Sequence, residues 1–481
     1  MRIRQILSSL PGFALLAAVG LLCHQSALAA DYYVDRRVAT SGSGSIVAPF
    51  KTIQEALSRV APGDIVSVRG DAVGVTYTET PSLPVGGAAG QPITLRSYPG
   101  EVVILTGSSG SRLSIDHDYW TFDGLIIDQA NILADAVKVN AMHVVIQNCE
   151  IRNGQREGIS IEKAADITIT DCSIHDFVWI SSGTRMDAHC IMIDTGVSST
   201  INGIYIRRNT IRNCSGDGTQ IFGVTGQSIA SYAKNVEFID NDFIDGSSAA
   251  GLTENALDFK AVDGVVVRGN RMSGYHNNKT IVAQKGCRNI QVENNEISDG
   301  LSGMEFREEG GSAFIQENLS VIGNLIHDMS SYALKFDDVR NATVLNNTLV
   351  NIGAEPFRFE STLGSGTPSV DGGIIKNNLV LNAARAPSGT SLLSAVTVGF
   401  NGWFQASAGS LAQTTDTSGS DPGFVGSTTG NYHLAAGSPC IDAGDGVGLP
   451  YVGAAPDLGA FEYSPGGDSV SPSAIRDLRS R

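Results

Sequence analysis

Apolar residues recur along this chain in one local pattern built on an asparagine: apolar, two residues, Asn, one residue, apolar. It runs through Ile206/Asn209/Ile211, Phe238/Asn241/Phe243, Val267/Asn270/Met272, Val292/Asn295/Ile297, Val321/Asn324/Ile326, Val344/Asn347/Leu349 and Ile375/Asn378/Val380. Cys149 and Cys172 hold the same slot in two earlier copies, so the slot is filled nine times at spacings of 23 to 37 residues. A period in that range is the signature of stacked repeats. The asparagines read as an inward turn whose amides bond the backbone of their own and neighbouring coils, a structural ladder rather than a catalytic feature.

Each copy carries two short runs of alternating apolar residues separated by polar or glycine-containing turns, and none has room for a real helix. The second run aligns as Gly158 to Glu162, Cys190 to Asp194, Gly218 to Phe222, Ala256 to Lys260, Thr280 to Gln284, Gly303 to Arg307, Ala333 to Asp337 and Pro356 to Glu360. Alternation turns Ile191/Ile193, Leu257/Phe259, Met304/Phe306 and Phe357/Phe359 inward and the residues between them outward. The expected fold is all-β, a parallel β-helix over residues 31–385. A strand at 31–34 and a short capping helix built on Ile53, Ala56, Leu57 and Val60 open it, because a first coil would otherwise expose its core. Looser coils and a C-terminal cap are expected over 386–464, and a flexible tail over 465–481.

Residues 1–30 read as a signal peptide: Arg2 and Arg4 precede an apolar stretch from Phe13 to Cys23, and Ala27-Leu28-Ala29 is a small-residue cleavage site. A secreted or periplasmic location follows, with no membrane span in the mature chain. The formal net charge of −16, more negative still without the leader's arginines, excludes a basic nucleic-acid binder. An acidic polymer would have to meet a local cation or basic groove. The six cysteines outside the leader match no metal motif; Cys149 and Cys172, roughly one strand spacing of 5 Å apart, could form a disulfide but read best as stacked buried thiols.

The outward row is unusually charged in the middle of the array, through Asp258/Lys260, Glu305/Arg307 and Lys335/Asp337. Such a row can be no more than a ladder of weak surface ion pairs. Longer spacings around it place extra loops at Trp179 to Asp187 and Gly223 to Lys234, which bring Trp179 and Tyr232 as possible sugar platforms. Asp217, Glu254 and Asp258 converge on Lys260 within two coils and could begin an oxygen shell for Ca²⁺. A uronate carboxylate would complete it. Neutralising that carboxylate acidifies the C5 proton, a lysine of lowered pKa removes it, and Arg307 braces the developing charge. Gln220, Lys285, Glu305 and His189 are the candidate substrate contacts, with His175 as an alternative histidine.

The array resembles the right-handed parallel β-helix polysaccharide lyases. Asp258-Phe259-Lys260, with Ser215-Gly216-Asp217-Gly218-Thr219-Gln220 in the coil before it, is similar to family nine pectate lyases. That resemblance implies a lysine base and a calcium cluster of the form Asp-Asp-Gly-x-Asp, of which Asp217 matches and Gly216 and Gln220 fill the other acidic places. The expected protein is a monomeric secreted lyase cleaving an acidic polysaccharide by β-elimination. Its alternatives are a C5-epimerase, a glycoside hydrolase and a non-catalytic glycan-binding β-helix.

Overall fold

A computed structural model describes residues 29–196, 201–245, 253–308, 316–363 and 367–465. The leader and the tail lie almost wholly outside these residues. Two sheets of 14 strands and one of 10 stack along one axis, so a coil in the middle of the array contributes three strands rather than the two expected, and the end coils lack the third. The extra division falls at the asparagine slot. The residue before each slot takes a left-handed conformation, as at Asp240 (φ 56°), Asn294 (φ 55°) and Asn346 (φ 51°), and turns the chain between two sheets. Asn, Asp and Gly tolerate that region best and supply most of these positions. What looked like one strand bracketing the asparagine is therefore two strands and a corner.

The ladder forms as the pattern implied. In Asn270 the backbone N–H and the side-chain Nδ2 each donate to Asn295 Oδ1 at 2.9 Å, and Nδ2 also reaches the Phe238 carbonyl at 2.8 Å. The same bonds repeat from Asn209 to Asn378, and Asn401, in the pattern Val398/Asn401/Trp403, adds a coil beyond those identified. These buried amides satisfy backbone N–H and C=O groups at the corners, where each loss would cost about 1–3 kcal/mol.

Inward residues of the 10-stranded sheet, including Ile191, Ile193, Leu257, Phe259, Met304 and Phe306, are fully buried. The strand Asp31–Val34 and the helix Ile53–Leu57 close the first coil; Thr52 and Glu55 form a reciprocal cap, and Ile53, Ala56 and Leu57 are buried. At the other end the chain turns back along the flank. Tyr432, Leu434, Cys440 and Leu458 pack on Leu325, Val350 and Leu379, and the Gly459 N–H donates to the Asn377 carbonyl. Cys149 and Cys172 are free and buried, whereas Cys190 and Cys214 form a disulfide that spacing did not reveal. Among the described residues no helix is long and apolar enough to cross a membrane.

Candidate functional site

The 10-stranded sheet pairs Gln220 with Asp258, Asp258 with Val282, Val282 with Glu305 and Glu305 with Lys335, the alignment read from the sequence. Lys260 pairs with Gln284, and the coil after that presents Arg307. Alternation thus carries Asp258, Lys260, Gln284, Glu305 and Arg307 to one outward face.

Lys260 Nζ lies 3.0 Å from Asp258 Oδ2, with 16% of the lysine side chain exposed. Gln284 Nε2 donates to Asp258 Oδ1 at 2.8 Å, and Gln284 Oε1 accepts from Arg307 Nη2 at 3.0 Å. These bonds form a directed chain from Arg307 through Gln284 and Asp258 to Lys260, in which reversing the Gln284 amide would set donor against donor at Arg307 and acceptor against acceptor at Asp258. The link between Lys260 and Arg307, two coils apart, is therefore Gln284, a residue the sequence showed on this face without marking it as part of the site.

Asp217 is fully buried. Its Oδ1 accepts from the backbone and side chain of Asn255 at 3.1 and 2.7 Å, and Oδ2 accepts from Gln220 Nε2 at 2.7 Å. Gln220 Nε2 also reaches Asp258 Oδ2 at 3.3 Å, so one amide bridges the two acids. His189 sits one coil back, where Nδ1 accepts the Asp217 N–H at 2.8 Å and its own N–H donates to Glu157 Oε2 at 2.9 Å. Glu157, His189 and Asp217 thus cap successive coils with their side chains, a second ladder made of titratable groups. His189 is a buried member of it rather than a group presented to substrate. Asn255 and Glu157 belong to the same column, and neither was singled out beforehand.

Burial sets the protonation of this column. It pushes the His189 pKa down to about 3, helped by Lys260 and Arg185, so the ring is neutral. It raises Glu157 to about 7, helped by Asp135, and lifts Asp217 well above the carboxylate range, helped by Asp258 and Glu254. At Lys260 burial works downward, but Asp258, with Asp217 and Glu254 behind it, outweighs it and the net direction is up. This corrects the expectation of a lysine with lowered pKa: neighbouring acids, not a cation, dominate its surroundings.

Glu254 stands apart from Asp217 and Asp258. It faces Arg185 at 3.9 Å and Asn278 at 3.5 Å. Arg185 comes from the hairpin Trp179–Ser181 and Thr184–Met186, so the longer spacing did deliver a flanking insertion, with an arginine as its contribution. Trp179 is partly buried against the core. Tyr232 is buried and donates to the Lys285 carbonyl, which makes it a loop anchor and not a sugar platform. Lys285 Nζ reaches the Gly223 carbonyl at 3.4 Å, on that loop's side. Glu305 is buried under Tyr332 at 2.5 Å, Lys335 at 3.2 Å and Lys279 at 3.3 Å, so it organises cations and offers no open oxygen to a sugar. His175 lies in another sheet between Glu150 and Asp176.

The expected calcium set is not assembled. Among the described residues no three His, Cys, Asp or Glu side chains converge as a metal site. The oxygens of Asp217 and Asp258 already face amide N–H groups and an ammonium, where a hard cation would require bare oxygens. The residues present do not fit that ion.

Coils of parallel strands stacked in three sheets define a polysaccharide-lyase-like β-helix. The chain belongs to the family described as "Pel9A-like, right handed beta helix region", whose model matches residues 32–318. The pectate lyase PEL9 of Emericella nidulans is 38% identical over 82 residues, 17% of this chain and 19% of that protein. The uncharacterized protein YwoF of Bacillus subtilis is 29% identical over 139 residues, 25% of this chain and 29% of the relative. The chain therefore spans less than a third of the length of these curated relatives. A crystal structure of pectate lyase Pel9A aligns over 90% of this chain and 96% of its own, with 18% identity and a TM-score of 0.46.

Proposed function

We propose that this chain is an exported polysaccharide lyase that cleaves a uronate-containing glycan by β-elimination, with Lys260 as the base. The observation that carries the reading is a lysine held on the outward face, 3.0 Å from Asp258 and tied through Gln284 to Arg307. In its neutral form Lys260 Nζ takes the C5 proton of the uronate. The electron pair passes into the carboxylate as an enolate, then forms the C4–C5 double bond as the C4–O bond breaks and the departing oxygen takes a proton from water. Arg307, 29% exposed at its side chain, neutralises the substrate carboxylate by bidentate bonding. Asp258 keeps Lys260 charged at rest, so the base form is populated only in alkaline solution and activity rises with pH.

The test is incubation of the mature protein with pectate, alginate and glycosaminoglycans while following unsaturated uronate absorbance. The expected result is absorbance on at least one polyuronate, lost in Lys260→Ala. Silence on every polyuronate, or an unchanged rate in that variant, overturns the reading, and uronate epimerised without chain cleavage in the NMR spectrum would replace it with an epimerase. N-terminal sequencing of exported protein, expected to begin near Ala30, tests the leader.

A further inference from the structure

The mismatch with calcium has a specific steric cause. A Cβ built on Gly216 would lie 2.5 Å from His189 Nδ1 and 3.1 Å from the Ala188 nitrogen, so no acid fits at 216 while His189 occupies its place. His189 cannot simply swing away, because it is buried and its Nδ1 takes the Asp217 N–H. At the other departure from the acidic pattern, Gln220 puts an amide nitrogen 2.7 Å from Asp217 and 3.3 Å from Asp258. Lys260 adds a full positive charge at Asp258, and Gln284 occupies that carboxylate's other oxygen.

We propose that this site has exchanged a divalent cation for protein donors: Gln220 and Lys260 hold Asp217 and Asp258 together, and His189 against Gly216 closes the position to a metal. The Lys260 ammonium, 3.0 Å from Asp258, takes the place of a cation's charge at that carboxylate. His189 and Gln220 are positioning residues in this account. Buried oxygens that already accept N–H donors would have to lose those bonds before they could coordinate an ion.

The inference concerns cation binding alone and is read without any turnover, so its failure is separable from failure of the lyase assignment. Calcium is titrated by calorimetry into the EDTA-treated mature chain, and Tm is recorded in calcium and in EDTA. Wild type, Asp258→Asn and Asp217→Asn are expected to give the same calcium response. A saturable calcium isotherm in the wild type that either substitution abolishes overturns the proposal. The converse test is His189→Ala/Gly216→Asp/Gln220→Asp, which is expected to gain a saturable isotherm and a calcium-dependent Tm rise of at least about 2 °C at a hundredfold excess over Kd. A folded triple variant that ignores calcium also overturns it. If that variant does not fold, the comparison of the wild type with the two single variants decides.

Discussion

Replacing Asp258 by asparagine removes one negative charge 3.0 Å from the Lys260 ammonium at nearly constant side-chain volume. At that distance the lost attraction is about 1.4 kcal/mol for a water-like dielectric and about 5.5 kcal/mol for an effective value of about 20. With the lysine side chain only 16% exposed, the water-like figure is the floor. One pKa unit corresponds to about 1.4 kcal/mol, so the Lys260 pKa is expected to fall by at least about one unit. Burial, which already works in that direction, then goes unopposed by its largest counterweight. The direct assay is an NMR titration of the labelled lysine ζ-amine, which needs no substrate. In parallel, the alkaline limb of the elimination rate should move to lower pH in the variant. A Lys260 titration that stays in place or moves upward refutes the account of how Asp258 holds the base. The sign for stability follows from the same shift. A lysine raised in the folded state contributes stability that is complete below its unfolded value, about 10.4, and is lost as pH rises through the folded value. Asp258→Asn is therefore also expected to destabilise the protein at neutral pH, where either Gln284 or Gln220, which donate to opposite oxygens of Asp258, would face the asparagine NH2 donor.

Asn295→Ala removes the acceptor of both Asn270 donors and the donor to the Val267 carbonyl, and is expected to cost about 3 kcal/mol or more in urea unfolding. Burial, aided by Asp457, raises Glu462 to about 7, so the native state is progressively penalised as pH rises from about 4.3 to 7. Tm should climb on acidification through that window, and Glu462→Gln should flatten this part of the profile by about 3.7 kcal/mol. Opening the Cys190–Cys214 bridge with Cys190→Ser/Cys214→Ser, across a separation of 24 residues, should lower unfolding stability by about 3.5 kcal/mol on the loop-entropy account. Unfolding of the wild type with and without reductant provides the control.

Legibility differed between the scaffold and its chemistry. Inward burial at Phe259 and Phe306, the outward row through Asp258 and Lys260, and the amide ladder all follow from a period of two and a fixed corner, which are local properties. The same locality explains the missed third strand. Asp240 and Asn294 looked like ordinary polar residues, and only their left-handed backbone shows that the chain turns there. The Cys190–Cys214 bridge was hidden because it joins the residue just before one strand to the last residue of another in a different sheet, a meeting that depends on how the coil closes.

What the sequence determined by itself is therefore a parallel β-helix, its coil register, and the face on which Lys260 and Arg307 lie. A repeated alternation specifies which way each side chain points regardless of what it meets. Which groups meet was decided by the tertiary structure: Gln284 joining Arg307 to Asp258, Gln220 bridging two acids, His189 filling the space above Gly216, and Lys260 held charged instead of primed as a base. The physical reason is that hydrogen-bond direction, burial and Coulomb attraction depend on distances of a few ångströms between coils. Residues 23 to 38 positions apart come within those distances only when the coils stack.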